Sequence, residues 1–288
     1  MRDYVSLFRD TPLKKRYNNG DLPIIAGYCA VPDIERTIEM SRSLSKLPNV
    51  VCVRGGAYKP RTKPDSFQGL GEEGLKYLVE ARELTGLPIV TEIIDPGDVD
   101  LFGKYGVDVW QIGSRNMQNF PLLRKVGENR GKTPVLLKRG MSSKPEEVLG
   151  SIDYLGDTGL ILLCLRGLQK MDYGNPEIAR LREGMYHQNP EYRFHCDVDD
   201  IEPLKELLKD RNHVIVGFDP SHVSGSHVYV PKVSREAVEH SADFLLIETM
   251  LDNDERHGLK CDANQAITTS ELEQLISELQ KIYSSISR

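Results

Sequence analysis

The sequence contains little cysteine, a single tryptophan and no excess of positive charge. Five cysteines occur among 288 residues, at positions 29, 52, 164, 196 and 261, and no two of them form a C-x-x-C pair. An odd number of cysteines without a secretory signal favours reduced thiols, so a cytoplasmic location is expected. The formal net charge of −6 argues against general binding to nucleic acid or to a membrane surface.

Long hydrophobic runs are also missing. No apolar stretch approaches the roughly 20 residues that a membrane span requires, and the first four residues, MRDY, do not begin a secretory signal. Hydrophobic residues make up 39% of the chain and charged residues 28%, as in an ordinary globular protein. Neither a membrane nor a nucleic acid is therefore expected as a partner, and local basic clusters are interpreted as sites for small anions.

Short apolar runs alternate with amphipathic helical stretches, which is the pattern of βα units and a parallel sheet. The eight runs lie at residues 23–27, 50–53, 88–92, 107–112, 134–137, 160–165, 214–218 and 244–247. Helices are predicted at about 33–46, 70–86, 97–105, 119–130, 145–157, 199–210, 232–241 and 270–286. Eight such units predict an α/β fold of the (β/α)₈ TIM-barrel type, with an open doubly wound sheet as the alternative.

Two parts of the chain lie outside this regular alternation. Residues 1–21 are interpreted as a short N-terminal extension, a hairpin or arm that covers the bottom of the barrel or forms an oligomer contact. Residues 22–288 are predicted to form one catalytic domain. The connection at 168–198 is long and polar, which is typical of a lid or an interface element.

Chemically functional side chains follow every predicted strand, at the end where a TIM barrel carries its active site. In chain order they are Cys29, Arg54, Glu92, Arg115, Lys138 with Arg139, Arg166, Asp219 with His222, and Glu248. Burying so many cations near a barrel axis without anionic partners is costly. The pattern therefore indicates an anionic ligand.

Two chemical groups can be separated among these residues. The cations that suit two phosphate-like groups and a carboxylate are Arg54, Lys59, Arg61, Arg115, Lys138 and Arg166. The potential metal ligands are Cys29, His222 and Glu248, with a carboxylate soon after the last strand. A thiolate, an imidazole and two carboxylates suit Mn²⁺, Fe²⁺, Co²⁺ or Zn²⁺ better than Ca²⁺ or Mg²⁺.

Two further motifs have a better structural explanation. Residues 69–74 read G-L-G-E-E-G, the dinucleotide-binding pattern, but no apolar strand precedes them and Glu72 and Glu73 would repel a pyrophosphate. The start of a helix is the better interpretation. The sequence DPSH at 219–222 suggests a Ser-His-Asp hydrolase, but no G-x-S-x-G motif accompanies it.

Several segments resemble the 3-deoxy-D-arabino-heptulosonate 7-phosphate (DAHP) synthases, in the short form related to KDO-8-phosphate synthases. They are RGGAYKPRT at 54–62, SFQGLG at 66–71, TE at 91–92, QIGSRNMQN at 111–119, LLKRGM at 136–141 and DPSH at 219–222. The resemblance implies a TIM barrel, a divalent metal ion, and a transferase that condenses phosphoenolpyruvate with erythrose 4-phosphate. It places the enzyme in the shikimate pathway to aromatic amino acids or in a specialised-metabolite branch. Relatives are commonly dimers or tetramers, which implies a homo-oligomer.

The resemblance also implies roles for individual residues. The metal ligands would be Cys29, His222, Glu248 and Asp262, which also makes Cys29 and His222 catalytic. Phosphoenolpyruvate would bind to Arg115, Lys138 and Arg166, with Arg54 and Lys59 close by. The family's clamp for erythrose 4-phosphate corresponds to Lys59, Pro60, Arg61 and Thr62. Glu92 and Lys138 are the candidate pair that positions a water molecule and transfers protons.

The sequence departs from the family pattern around the predicted metal site. Residues 27–30 read G-Y-C-A where relatives read G-P-C-S, and Thr249-Met250 replaces a His-Pro pair. Residues 261–265 read C-D-A-N-Q in place of S-D-G-x-Q, at a longer spacing from Glu248. Because these changes lie near the aldehyde end, a modified tetrose or the larger phosphosugar of a KDO-8-phosphate-like enzyme is an alternative acceptor. A non-catalytic barrel that binds sugar phosphates is a further alternative.

Overall fold

The computed structural model describes residues 8–17, 20–170 and 192–286. Its strands are β1 (Ile24–Gly27), β2 (Val50–Arg54), β3 (Ile89–Glu92), β4 (Val109–Ile112), β5 (Val135–Lys138), β6 (Ile161–Leu165), β7 (Val214–Phe218), β8 (Leu245–Met250) and β9 (Ile267–Thr268). The α-helices are α1 (Ile34–Ser45), α2 (Glu72–Thr85), α3 (Val99–Lys104), α4 (Phe120–Asn129), α5 (Pro145–Leu155), α6 (Ile201–Leu207), α7 (Pro220–Ser224), α8 (Val230–Glu239) and α9 (Thr269–Ile286). Within the described ranges, no helix combines the length and the apolar character that crossing a bilayer demands.

Strands β1 to β8 are parallel and neighbours in chain order, and β1 also pairs with β8, so the sheet closes into a barrel. This closure confirms the predicted (β/α)₈ fold. Two short elements are absent from the sequence-based prediction. The first is β9, which pairs with Thr249 and Met250 and so extends β8 to Met250. The second is α7, which spans only 5 residues after β7. Elements this short show no hydrophobic period.

The glycine-rich segment 69–74 begins a helix, as the sequence predicts. Gly71 immediately precedes α2 and has a φ of 60°, in the left-handed region that glycine adopts without steric cost. Glu72 and Glu73 lie in the first turn of α2, where carboxylates interact favourably with the helix dipole. The segment therefore serves α2 rather than a dinucleotide.

Side chains alternate across the barrel wall, and this alternation positions the site. An apolar layer inside the barrel includes Ile25, Val90, Leu136 and Leu246. Two residues further along the same strands stand Gly27, Glu92, Lys138 and Glu248. Because side chains two residues apart on a strand lie on the same face, these residues also face the barrel axis. The interior is thus apolar in its middle and polar at the carboxyl ends of the strands.

The residues before β1 close the bottom of the barrel. Phe8 and Leu13 are 1% and 0% exposed and belong to the apolar cluster inside the barrel. Leu160, which comes directly before β6, belongs to the same cluster, so the contacts lie at the amino-terminal ends of the strands. In the described part of this segment, Pro12–Lys15 forms a short 3-10 helix. Treating 1–21 as an extension separate from the catalytic domain stays a prediction.

Replacing Leu13 with alanine is expected to lower the free energy of unfolding by about 2–5 kcal/mol, because the lost methyl groups leave a cavity under the barrel. Leu84→Ala is the control, since Leu84 is 56% exposed on α2 and its loss should change stability by less than about 0.5 kcal/mol. Urea unfolding followed by circular dichroism measures both variants. Equal effects of the two substitutions would show that Leu13 does not seal the barrel.

Candidate active site

The polar mouth of the barrel forms one cleft that gathers most of the predicted site residues. The cations that line it are Arg54, Lys59, Arg61, Arg115, Lys138, Arg166 and Arg193. The other lining residues are Pro60, Glu92, Gln111, Gly113, Ser114, Met141, Phe194, His222 and Asp262. All six cations predicted from the sequence are therefore brought to one cleft, and Arg193 is added to them.

The cations lie at different depths. Those at the floor of the cleft are at most 8% exposed, and they are Arg54, Lys59, Lys138 and Arg166. Arg61 is half-buried and Arg115 is exposed at the rim, whereas Thr62 is exposed and does not line the cleft. Because water screens buried charges less than exposed ones, the floor attracts an anion more strongly than the rim.

Two guanidinium groups at the floor keep N–H groups for which the described part of the chain offers no acceptor. Nε of Arg54 and Nη1 of Arg166 make no hydrogen bond within the described residues. The guanidinium carbon of Arg166 lies 3.9 Å from the centroid of the Phe194 ring, on which it stacks. Since a buried donor without a partner is costly, these two groups indicate where an oxyanion binds.

The four predicted metal ligands lie together beside these cations. One ligand atom from each of Cys29, His222, Glu248 and Asp262 falls within 4.8 Å of the others. Glu248 is 0% exposed, and its Oε1 makes no hydrogen bond in the part of the chain that is described. A buried carboxylate oxygen that accepts no hydrogen bond from the described residues, next to a thiol, an imidazole and a second carboxylate, fits a borderline divalent ion such as Mn²⁺, Fe²⁺, Co²⁺ or Zn²⁺.

Glu248 is held by three neighbours. Its Oε2 accepts a hydrogen bond from Nε2 of Gln265 at 2.7 Å, and its backbone N–H donates to the hydroxyl of Ser221 at 3.0 Å. Nη1 of Arg54 lies 3.0 Å from Oε1, within ion-pair distance but misaligned for a hydrogen bond. Burial, together with the nearby thiol of Cys29, raises the pKa of Glu248 to about 7. The carboxylate is thus fixed in place but incompletely neutralised by the protein.

His222 is oriented by the carboxylate of Asp219. Asp219 caps α7 by accepting a hydrogen bond from the backbone N–H of His222, and its Oδ2 lies 2.8 Å from Nδ1 of the ring. This contact assigns the proton to Nδ1 and leaves Nε2, 3.6 Å from Oε1 of Glu248, as a free donor atom for a metal ion. Burial lowers the pKa of His222, which favours the neutral form that metal binding requires.

Asp219 also binds Lys138. Nζ of Lys138 donates to Oδ2 of Asp219 at 2.5 Å and lies 3.4 Å from Nδ1 of His222. Burial acts to raise the pKa of Asp219, but its contacts with His222 and Lys138 hold it well below its usual range. One carboxylate therefore positions a candidate metal ligand and a candidate catalytic cation. The sequence places Asp219 at a strand end but does not reveal this double contact.

Glu92 lines the same cleft, but the hydrogen bond of Lys138 goes to Asp219 rather than to Glu92. Nε2 of Gln111 donates to Oε2 of Glu92 at 3.4 Å. A Cβ on Gly113 would lie 1.9 Å from Oε1 of Glu92, so the backbone of Gly113 limits where this carboxylate can stand. A joint action of Glu92 and Lys138 on water stays a prediction.

The longer spacing between Glu248 and Asp262 is accommodated by a loop that is fastened to the end of β1. The hydroxyl of Tyr28 donates to Oδ2 of Asp254 at 2.5 Å. Asp262 has a φ of 47° and directs its Oδ2 to within 3.3 Å of Sγ of Cys29. The tyrosine that departs from the family pattern therefore supports the loop that carries the last candidate ligand.

Arg193 and Phe194 are lining residues that the sequence analysis missed. Nη1 of Arg193 lies 3.1 Å from Oδ1 of Asp262, and Phe194 stacks under a floor arginine. They belong to the connection at 168–198, of which residues 171–191 lie outside the described residues. Their only sequence signal is the length and polarity of that connection. Gln111, by contrast, could have been found from the inward register of β4.

Comparison with known families shows where the chain belongs. The model of the DAHP synthetase I family matches residues 14–288. This chain is a member of the DAHP synthetase I family. The resemblance to DAHP synthases is thereby confirmed, and the chain is an enzyme of that family.

The curated relatives of this family member include enzymes for two sugar acids. The phospho-2-dehydro-3-deoxyheptonate aldolase of Thermotoga maritima is 35% identical over 269 residues, which cover 93% of this chain and 71% of the relative. The 2-dehydro-3-deoxyphosphooctonate aldolase of Desulfatibacillum aliphaticivorans is 26% identical over 278 residues, which cover 91% of this chain and 92% of the relative.

Solved structures agree with the barrel of this family member. The crystal structure of the Thermotoga maritima DAHP synthase has a TM-score of 0.77 at 34% identity, over 93% of this chain and 71% of that chain. A truncated form of the Thermotoga maritima enzyme has a TM-score of 0.74 at 31% identity, over 93% of this chain and 88% of that chain.

Asp219→Asn is expected to weaken Mn²⁺ binding by about 10- to 100-fold. An amide can still cap α7, but it loses the negative charge that keeps the proton on Nδ1 of His222. Equilibrium dialysis against Mn²⁺ measures the affinity. Asp153→Asn is the control, because Asp153 pairs with Arg211 at the surface and its side chain is 61% exposed. Equal affinities in the two variants would exclude an orienting role for Asp219.

Proposed function

We propose that this chain is a transferase that condenses phosphoenolpyruvate with erythrose 4-phosphate and water to give DAHP and phosphate. The observation that carries the proposal is the buried cationic floor, whose arginines keep N–H groups without an acceptor among the described residues, beside a cluster of four metal-ligand residues. Phosphoenolpyruvate bears a phosphate and a carboxylate, and guanidinium groups recognise both in a bidentate manner. The family resemblance assigns this reaction to the shikimate pathway or to a specialised-metabolite branch.

Phosphoenolpyruvate is proposed to bind at the floor of the cleft. Arg166 and Arg54 offer N–H groups that have no acceptor in the described part of the protein, and Arg115 reaches the same cleft from the rim. Lys59 is 8% exposed and adds a positive charge on the side of the metal-ligand cluster, 3.2 Å from Sγ of Cys29. Lys138 is held in place by Asp219, so its ammonium group is positioned before the substrate arrives.

The divalent ion is proposed to bind to Cys29, His222, Glu248 and Asp262. When bound, such an ion supplies Lewis acidity that polarises a carbonyl oxygen. The protein prepares this site through the contact between Asp219 and His222 and through the hydrogen bond from Gln265 to Glu248. Neither interaction requires the substrate.

Erythrose 4-phosphate is proposed to bind at the rim next to Lys59–Thr62. Nε of Arg61 donates to the carbonyl of Phe67 at 3.1 Å, which fixes the guanidinium at the mouth of the cleft. Arg193 extends the positive charge toward Asp262. Pro60 lines the cleft, and Thr62 belongs to the proposed clamp through the family resemblance alone.

The chemistry follows from these positions. C3 of phosphoenolpyruvate attacks the aldehyde carbon, and the positive character that develops at C2 is quenched by water. Glu92 and Lys138, both at most 6% exposed in the cleft, are proposed to orient this water and to transfer its protons. Loss of phosphate from the tetrahedral carbon then leaves the 2-keto product.

A larger phosphosugar is the second candidate acceptor. The relatives named 2-dehydro-3-deoxyphosphooctonate aldolases align with more than nine-tenths of this chain at 26% identity, which favours this candidate. The RGGAYKPRT run at 54–62 favours the four-carbon acceptor. The non-catalytic barrel considered from the sequence is not retained, because the family is enzymatic. A homo-oligomer, dimer or tetramer, in the cytoplasm remains part of the proposal.

The acceptor and the metal requirement can be tested together. Release of phosphate from phosphoenolpyruvate is expected with erythrose 4-phosphate, to be lost on treatment with a chelator, and to return on addition of Mn²⁺. Ribose 5-phosphate and arabinose 5-phosphate serve as five-carbon comparisons. Release with a five-carbon sugar alone would replace the proposed acceptor by the second candidate. No release with any sugar would contradict the proposed reaction.

Gly113→Ala is expected to reduce turnover by about 10²-fold, because the added methyl group collides with Glu92 and displaces the carboxylate by roughly an ångström or more. Gly103→Ala is the matched control, since a Cβ at Gly103 in α3 meets no atom of the described residues within 4 Å. Phosphate release at saturating substrate measures both, and thermal unfolding checks that both fold. Normal turnover of the Gly113 variant would show that the position of Glu92 is not critical.

A further inference from the structure

Cys261 lies against a candidate metal ligand but is not one of the four ligand residues. Its Sγ is 3.1 Å from Sγ of Cys29, and the two side chains are 9% and 5% exposed. Both are free thiols, and both belong to a small apolar cluster that also contains Ala30. The proposed reaction uses Cys29 as a metal ligand and gives Cys261 no role.

The two thiols are brought together by the barrel rather than by nearness in sequence. Cys29 follows β1, which pairs with β8, and Gly27 aligns with Glu248 in that pairing. The loop after β8 then returns Cys261 to the same strand end. Oδ2 of Asp262 lies 3.2 Å from Sγ of Cys261 and 3.3 Å from Sγ of Cys29, so the carboxylate stands beside both sulfur atoms.

The other cysteines in the chain lack such a partner thiol in the structure. Cys52 and Cys164 are 0% exposed, and their Sγ atoms point to the carbonyls of Val53 and Leu165. Cys196 lies in the segment after β6 and is only partly buried. Among the described residues, Cys29 and Cys261 are therefore the pair that is placed to react with each other.

We propose that Cys29 and Cys261 form a reversible disulfide that competes with the metal ion for Cys29. A disulfide requires a sulfur–sulfur distance of about 2.05 Å, so the two atoms need to approach by roughly 1 Å. The oxidant is a peroxide. One thiolate displaces hydroxide from hydrogen peroxide to give a sulfenic acid, and the second thiolate attacks that sulfur and releases a second hydroxide. Two protons from the thiols convert the hydroxides to water.

The disulfide would remove the only sulfur ligand of the proposed metal site. A disulfide sulfur carries no negative charge, and thiolates rather than disulfides bind metal ions. An imidazole and two carboxylates then remain. Conversely, a bound ion occupies the lone pairs of Cys29 and protects it from peroxide. Oxidation and metal loading are therefore expected to be mutually exclusive.

The test uses the full-length protein, stripped of metal with EDTA and treated with one equivalent of hydrogen peroxide. The denatured protein is expected to show three titratable thiols in place of the five cysteines present, because one disulfide consumes two. Peptide mass mapping should find Cys29 linked to Cys261. Equilibrium dialysis should show at least a tenfold loss of Mn²⁺ affinity that dithiothreitol restores, and prior loading with Mn²⁺ should slow the thiol loss.

Two variants separate the disulfide from simple oxidation of Cys29. When several equivalents of peroxide are used, Cys29 of Cys261→Ser lacks a resolving partner and should be oxidised to sulfinic acid, which dithiothreitol does not reduce. Mn²⁺ binding of this variant should then stay lost, whereas the unmodified chain should recover it. Cys196→Ser is the matched control: it should keep two of its four thiols after oxidation, and dithiothreitol should restore its Mn²⁺ binding as in the unmodified chain. Retention of all five thiols, a Cys29 oxidised without a link to Cys261, or full recovery of the Cys261 variant would each overturn the proposal. None of these measurements depends on turnover, so an inactive protein that forms the disulfide would count only against the proposed reaction.

Discussion

The closed barrel imposes the constraint on which the rest of the site depends, because every second side chain of each strand must point toward the barrel axis. Ile25, Leu136 and Leu246 fill the interior. The residues two positions further, such as Lys138 and Glu248, therefore place their side chains in the mouth of the barrel. Function is thus concentrated in a single layer at the carboxyl ends of the strands, while the layer beneath it is apolar and buried.

Charge neutralisation then determines which of these groups are satisfied by the protein and which are kept for ligands. Asp219 neutralises Lys138 and orients His222 within one network. With respect to the residues that the structure describes, Arg166 and Arg54 retain unpaired N–H groups at the floor, and Glu248 retains an oxygen without a hydrogen bond. Among the described residues the cleft therefore contains two incompletely paired sites only a few ångströms apart. The arginine N–H groups can bind an anion, and the Glu248 oxygen can bind a cation. A buried charge of either sign is costly unless a ligand of the opposite charge pairs with it.

The departures from the family pattern lie close together in three dimensions. Tyr28 in place of proline provides the hydroxyl that fastens Asp254. Thr249, in place of a histidine, accepts a hydrogen bond from the backbone N–H of Gly27 through its hydroxyl at 2.8 Å and pairs with β9. The longer loop still returns Asp262 to the other candidate ligands. Changes that look independent along the sequence are therefore joined at the junction of β1 and β8.

The sequence by itself determined the fold class, since eight apolar runs separated by amphipathic stretches admit few other architectures. It also indicated the strand-end cations and three of the candidate ligands, Cys29, His222 and Glu248, because these stand at or just after the apolar runs. Asp262 lies well beyond β8 and was implied only by the family resemblance. Only the tertiary structure decided that Asp219 joins Lys138 to His222, that Arg193 reaches Asp262, and where Cys261 lies. Hydrophobic periodicity describes residues a few positions apart. Contacts between distant loops depend instead on loop paths and on backbone turns such as the left-handed conformation of Asp262, for which the sequence offers no periodic signal.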